Sequence, residues 1–339
     1  MSGRYSRQEL FSFIGKEGQQ KLSDKHVLII GAGALGSGNA ETLVRAGVGK
    51  VTIVDRDYVE WSNLQRQQLY TEQDAQARLP KAVAAKRRLT MINSEVTIEA
   101  IIADVNVQEL ENLQHGVDLI IDATDNFDIR LIINDIAQKY CIPWIYGGCV
   151  GSYGISYTVL PKKTPCLHCL LESVPMGGAT CDTTGIISPA VQMVIAYQSA
   201  EALKVLVEDF EHIRKKLVTF DLWQNQFVSI SVDALKKQNC VSCGNNPSFP
   251  FLAYENQLKA AVLCGRNTVQ LRPQEGGSRN LEDLAHHLQL TRGKVERNPF
   301  LLSFEIEGNR MVIFQDGRVL IHGTKDITEA KTIYHRYLG

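Results

Sequence analysis

The hexapeptide Gly31-Ala32-Gly33-Ala34-Leu35-Gly36 constrains this chain more than any other feature. It directly follows His26–Ile30, an apolar run that reads as a strand, and it opens Ala34–Ala46, which reads as a helix. Glycines there permit a tight turn, close backbone approach to a phosphate, and close packing of helix on strand. The start of the helix adds free N–H groups and a partial positive charge, which suit an anion. Nineteen residues past Gly36, Asp55 ends the next strand, where a carboxylate can accept hydrogen bonds from ribose hydroxyls. The fingerprint fits NAD as well as ATP, and a glycine turn without any nucleotide is the plainer alternative. It names a ligand class only.

Around this loop the first half of the chain alternates strand and helix patterns. Val51–Asp55, a helix over Lys81–Ile92, Val96–Ile101, Asp118–Asp122, a helix over Phe127–Tyr140, and Pro143–Tyr146 follow one another. Such alternation predicts an α/β fold with a Rossmann-like, doubly wound and mainly parallel sheet. Beyond Gly154, the strands Ile155–Leu160, Leu217–Leu222 and Phe227–Val232, with a long helix over Pro189–Glu208, read as an antiparallel extension of that sheet. Gly244-Asn245-Asn246-Pro247 and Pro250 break all periodicity, which sets a first domain at 1–250 and a small α+β domain at 256–339. In the second, Leu281–Leu290 and Asp326–Tyr337 read as helices around a meander of Phe300–Ile306, Arg310–Gln315 and Arg318–His322. Asp316-Gly317 reads as a tight hairpin with positive φ at both positions. Phe300, Leu302, Phe304, Ile313, Val319 and Ile321 are its expected core.

Composition excludes several classes. The 339 residues are 44% hydrophobic and 22% charged, with a formal net charge of −1, which offers no field for nucleic acid or an anionic membrane. The most apolar stretch, Ile186–Leu206, is interrupted by Gln192, Gln198, Glu201 and Lys204 and is not expected to span a bilayer. No export pattern opens the chain. Together with two Cys-x-x-Cys pairs among eight cysteines, this leads us to expect a cytoplasmic, metal-binding protein rather than a disulfide framework.

Four further features favour a triphosphate over a dinucleotide. The run Ser62-Asn63-Leu64-Gln65-Arg66-Gln67 lies just after the second strand, Lys81 opens the following helix, and Asp125-Asn126 follow the fourth strand. Arg7 sits in the basic, polar segment Arg4-Tyr5-Ser6-Arg7-Gln8. In a doubly wound sheet the strand ends converge on one crevice. Cations there neutralise polyphosphate, and a carboxylate supplies the oxygen that Mg²⁺ prefers. Taken singly, Lys81 and Arg66 also read as solvated surface and Asp125 as a helix cap.

These residues together resemble the MoeB/ThiF/HesA family, bacterial relatives of ubiquitin-activating enzymes. The likeness runs from Arg4–Gln8 through the glycine loop, Ser62–Gln67, Pro80-Lys81 and Asp122–Asn126 to the cysteine pairs and Pro247, roughly the first 250 residues. It implies a homodimer that binds Mg²⁺ and ATP and adenylylates the C-terminal glycine of a ubiquitin-like sulfur carrier, releasing pyrophosphate. By the resemblance, Gly31, Gly33, Ala34 and Gly36 form the nucleotide loop and Asp55 holds the ribose. Ser62, Leu64 and Asn126 line the site, while Asn63, Gln65, Arg66 and Lys81 hold the phosphates. Asp125 takes the magnesium ion, and Arg7 reaches into the partner subunit's site. Ala34 replaces a glycine common in the family, although its N–H remains. A carboxylate attacking phosphorus is already ionised at neutral pH, so no general base is expected.

Cys166-x-x-Cys169 and Cys240-x-x-Cys243 have the spacing of two zinc knuckles and would complete a closed, structural four-thiolate site for Zn²⁺. Two unrelated thiol pairs are the alternative. Cys181, in Gly177-Gly178-Ala179-Thr180-Cys181-Asp182, reads either as a sulfur-transfer thiol, a role some family members give this position, or as a bystander. Cys141 and Cys149 read as core, and Cys264, at an expected strand end, as a packing residue. An NAD-dependent oxidoreductase and a non-enzymatic nucleotide-binding scaffold remain the competing functions. The pathway served, thiamine or molybdopterin, stays open at this stage.

Overall fold

The computed structural model describes residues 3–171, 184–253, 260–262, 267–271, 280–291, 293–306 and 308–338. The chain forms two units, one of Met1–Gln76 with Pro80–Asn256 and the other of Ala77–Leu79 with Gln257–Gly339. Cys181 and Cys264 lie outside the described residues.

Among the described residues the first unit is built on eight strands: β1 (His26–Ile30), β2 (Lys50–Asp55), β3 (Thr97–Ile102), β4 (Leu119–Asp122), β5 (Trp144–Val150), β6 (Tyr153–Val159), β7 (Lys216–Asp221) and β8 (Gln226–Ser231). Their order is β3-β2-β1-β4-β5-β6-β7-β8. Pairing is parallel from β3 to β5 and antiparallel from β5 to β8. β1 and β4 are apolar because helices cover both faces there; Val27, Leu28, Ile29, Leu119, Ile120 and Ile121 are fully buried. The chain winds outward from β1 through β2 to β3 and then returns to the other side of β1 with β4. That reversal opens a crevice at the carboxyl ends of β1 and β4, where open α/β sheets bind ligands.

The apolar stretch near residue 190 is a helix, Ser188–Leu206, buried within this unit. Val191, Val194 and Ile195 pack with Leu35 and Phe220. Its glutamine Gln198 bonds to the carbonyls of Asp122 and Ile145 at 2.8 and 3.3 Å, so a polar residue that interrupts the run ties the helix to the sheet. No described helix is long and apolar enough to cross a membrane.

The second unit holds β9 (Ala260–Val262), β10 (Thr268–Leu271), β11 (Lys294–Arg297), β12 (Leu301–Ile306), β13 (Asn309–Phe314) and β14 (Val319–His322). They form an antiparallel sheet in the order β11-β12-β13-β14-β10-β9. The expected three-strand meander is therefore half of a larger sheet. β10 and β11 are four residues long, and Lys294-Val295-Glu296-Arg297 carries a single apolar side chain, too little for period-2 reading. Helices Leu281–Gln289 and Ile327–Leu338 cover Leu302, Phe304, Met311, Ile313, Val319 and Ile321. Phe300 is not in this core; it precedes β12 and stays partly exposed.

Two local expectations are also corrected. Only Gly317 of the Asp316-Gly317 pair has positive φ, +83°. The turn is a three-residue loop closed by a left-handed glycine, with Gly317 N–H donating to the Phe314 carbonyl at 3.0 Å. Cys141 is exposed at the left-handed end of Phe127–Tyr140, and Cys149 is only partly buried. Phe304 is fully buried, with Tyr337 edge-on at 5.3 Å. Phe304→Ala is expected to destabilise the second unit by about 3–5 kcal/mol, measured by urea denaturation followed by tyrosine fluorescence.

Candidate nucleotide site and metal centre

The glycine loop occupies the crevice between β1 and β4. Gly31 has φ +97°, and a Cβ on it would lie 2.5 Å from the Ala123 carbonyl oxygen. A Cβ on Gly36 would lie 1.8 Å from the Gly31 carbonyl oxygen, so the turn closes on itself with no room for a side chain. Gly33 is different: its Cβ position meets only the Gln67 amide nitrogen, at 3.9 Å, and faces open space. Gly33 is the N-cap of the helix Ala34–Ala46, whose first N–H groups have no partner within the helix.

Asp55 ends β2 and braces the loop from the side. Its carboxylate accepts from the N–H of Ala32 and of Asp57, each at 2.6 Å. Burial pushes the Asp55 carboxyl above the usual carboxylate range, and the Lys81 ammonium opposes that shift. Lys81 is 4% exposed and pairs with Asp57 at 3.3 Å; its N–H donates to the Asp57 carbonyl at 2.9 Å. Lys81 is thus no solvated surface lysine. Arg56, bridged to Asp104 at 3.2 Å, adds a second cation beside it.

The Ser62–Gln67 run lies in the turn that begins with Trp61–Asn63. Asn63 is 1% exposed, and its Oδ1 accepts from the Glu60 N–H at 3.0 Å, so the asparagine shapes this turn. Arg66 folds back to donate to the Ser62 carbonyl at 2.9 Å, whereas Ser62 and Gln65 are exposed. Gln67 was not among the expected site residues. It is 3% exposed, its Nε2 faces Gly33, and its Oε1 has no hydrogen-bond partner among the described residues. Its signal was present, since it ends the same run, but sequence alone gave no reason to separate it from Arg66. Asp57 was also missed: an aspartate two residues past a strand looks like loop polarity until Lys81 is seen against it.

On the β4 side, Asp122, fully buried, pairs with the largely buried Arg130 at 2.9 Å. Asp122 also accepts from the Thr124 N–H and hydroxyl at 2.9 and 2.7 Å, which folds the chain after β4. Arg130 donates to the carbonyls of Thr124 and Gly147 at 2.6 and 3.2 Å. The cap of Phe127–Tyr140 is Asn126, accepting from the Asp128 N–H at 2.8 Å, so Asp125 has no capping duty. The Asp125 side chain is exposed and makes no hydrogen bond among the described residues. Such an exposed carboxylate at the strand end, within the field of the Arg56 and Arg130 guanidiniums, offers the oxygen donors that a magnesium ion takes.

Arg7 is not brought to this site. Tyr5 is bonded by Asn93 at 2.8 Å and Gln8 donates to the Ala46 carbonyl at 2.9 Å. That anchors the segment at the far end of the Ala34–Ala46 helix, about 20 Å from its first turn at 1.5 Å per residue. Arg7 itself is exposed.

The four expected thiolates do converge. Cys166, Cys169, Cys240 and Cys243 are all buried, with every pair of sulfurs within 4.8 Å. Cys166 to Cys240 is 3.7 Å and Cys169 to Cys243 is 3.6 Å. A tetrahedron with Zn–S near 2.3 Å has edges of about 3.8 Å. The cluster fits zinc. Gly244 closes the second knuckle, donating to the Cys240 carbonyl at 2.9 Å where a Cβ would lie 2.5 Å from that oxygen.

Residues 5–242 match the model of the ThiF family. The chain belongs to the ThiF family. A relative from Bacillus subtilis, "Sulfur carrier protein ThiS adenylyltransferase", is 55% identical over 339 residues, covering 100% of both chains. "Molybdopterin-synthase adenylyltransferase" of Salmonella typhimurium is 31% identical, matched over 71% of this chain and 96% of its own. The crystal structure of E. coli MccB with ATP shares the fold, with a TM-score of 0.63 at 24% identity over 72% of this chain and 74% of that one. The family stretch thus takes in the glycine loop, the two aspartate-bearing strand ends and all but the last cysteine ligand, while most of the second unit lies beyond it.

Two outcomes follow for this ThiF-family chain. Gly36→Ala should abolish nucleotide binding in calorimetry, because the added methyl group displaces the Gly31 carbonyl and opens the loop. Cys243→Ser should lose zinc in elemental analysis and lower the unfolding midpoint together, since metal-binding energy at a closed site is folding energy.

Proposed function

We propose that the chain uses Mg²⁺ and ATP to adenylylate the C-terminal glycine carboxylate of a ubiquitin-like sulfur-carrier protein. The observation that carries this reading is the full-length likeness to a ThiS adenylyltransferase, joined to a crevice that holds a glycine loop, a buried lysine and an exposed carboxylate. For the same reason ThiS is the preferred carrier over the small subunit of molybdopterin synthase.

In this reading Gly31–Gly36 and the start of the Ala34–Ala46 helix cradle the phosphates, and Asp55 accepts from the ribose hydroxyls. Asn63, Gln65, Arg66 and Lys81 take the polyphosphate, with Lys81 exchanging Asp57 for phosphate oxygen as its partner. Asp125, flanked by Asn126, holds the magnesium ion, which offsets phosphate charge when bound. The carrier carboxylate, ionised at neutral pH, forms a bond to the α-phosphorus as the bond to the β-phosphate oxygen breaks. Pyrophosphate carries away the electron pair, and no proton moves. The residues therefore act by orientation and charge, and no histidine or serine is asked to act as base or nucleophile. The four cysteines hold Zn²⁺ as a structural clasp. Arg7, too far from its own crevice, serves the partner subunit of a homodimer.

The test is ATP–pyrophosphate exchange driven by purified carrier. Asp125→Ala should lower exchange by about a hundredfold or more while leaving zinc content and unfolding unchanged; exchange at the wild-type level would remove Asp125 from the site. Arg7→Ala and Lys81→Ala homodimers should each be inactive, and mixing them should restore exchange through one intact site per heterodimer. Proven subunit exchange without recovered activity would contradict the action of Arg7 on the partner.

A further inference from the structure

The second unit is not made of the C-terminal residues alone. Ala77–Leu79, from the middle of the chain, belong to it. One side chain secures them: Asn298 Nδ2 donates to the carbonyls of Ala77 and Arg78 at 3.0 and 3.1 Å. The same amide's Oδ1 accepts from the N–H groups of Phe300 and Leu301 at 2.9 and 3.0 Å, shaping the turn into β12. Arg78 completes the hold with ion pairs to Glu296 at 2.9 Å and Glu305 at 3.8 Å. Glu296 pairs with Ser303 and Glu305 with Lys294, so both acids stand on the sheet face opposite Phe304, away from the helices.

The backbone of Arg78 has φ +47°, a conformation disfavoured for a residue with a side chain. It persists because its carbonyl and its guanidinium are both held. Only Leu79 and Pro80 separate it from Lys81, and proline fixes its own φ. The Lys81 N–H is then pinned to the Asp57 carbonyl at 2.9 Å. Freed at Asn298, Arg78 would relax to negative φ and redirect the two residues that lead into Lys81.

We propose that Asn298 and Arg78 are positioning residues, through which the C-terminal module sets the buried Lys81 for nucleotide. The module would then act on ATP binding. The proposal rests on the reading of Lys81 as a phosphate-binding cation, given above.

Asn298→Asp in the full chain separates the two jobs of this side chain. The carboxylate keeps both acceptor bonds to Phe300 and Leu301, yet presents oxygen to two carbonyls. The proposal expects ATP binding in the presence of Mg²⁺, measured by calorimetry, to weaken about three- to tenfold, the scale of one or two hydrogen bonds. Amide exchange over residues 77–84 should quicken, with zinc content and unfolding midpoint unchanged. By reciprocity, Mg²⁺ and ATP added to the wild-type chain should slow exchange over residues 296–302. Arg78→Ala, which leaves the Asn298 turn intact, should act in the same direction and decides the matter if Asn298→Asp also lowers the midpoint. Unchanged ATP affinity and unchanged exchange over 77–84 in Arg78→Ala would overturn the proposal. A wild-type chain that fails to bind ATP would instead sink the reading of the site, and the clamp would be judged on amide exchange alone.

Discussion

The closeness of the glycine loop to the end of β4 is the constraint on which the rest of the site depends. With the Gly31 Cβ position 2.5 Å from the Ala123 carbonyl oxygen, the first turn and the fourth strand share one wall. The crossover that places β4 beside β1 brings Asp125 to the loop, and the next strand outward brings Asp55 and Lys81. Asp122 and Arg130 lock that wall, since the buried pair is also bonded to Thr124 and to the carbonyls of Thr124 and Gly147, which fixes the direction of the chain. The geometry is preset in the backbone, and the charged side chains are mounted on it.

Much of this was legible in the residues because it is local. A glycine turn between strand and helix, an acid at the next strand end, and paired Cys-x-x-Cys knuckles each carry their meaning within a few positions. The convergence of Cys166 and Cys169 on Cys240 and Cys243 across seventy-odd residues was readable only because one tetrahedral ion needs four ligands. What stayed hidden depends on contacts between distant segments. Asp57 and Gln67 gain meaning from Lys81 and Gly33, which lie across the loop rather than along it. β10 and β11, four residues each, are too short to establish a period, and β11 is also too polar; they exist because neighbouring strands supply a register. Nothing in Ala77-Arg78-Leu79 suggests that three residues leave the first unit for the second.

The two halves of the site answer to different physics. At the glycine loop the buried Lys81 is held by Asp57, so under the proposed function a phosphate would replace one partner with another instead of stranding a buried charge. At the cysteines the four sulfurs stand at the spacing that a tetrahedral zinc ion requires, and four thiolates would fill its coordination without water. In the sequence β6 lies between these regions and β7 and β8 lie between the two cysteine pairs, while Gln198 joins the helix Ser188–Leu206 to the carbonyl of Asp122. Packing, metal clasp and crevice are thus parts of one unit.

Transfer of label to the carrier tests the central claim most directly. Purified chain, Mg²⁺ and ThiS-type carrier would be incubated with ATP labelled in either the α- or the γ-phosphate. Adenylylation predicts α-label on the carrier's C-terminal glycine and γ-label in free pyrophosphate. A γ-label on the carrier would make the chain a kinase, and a carrier unlabelled by either, with ATP bound, would contradict the account.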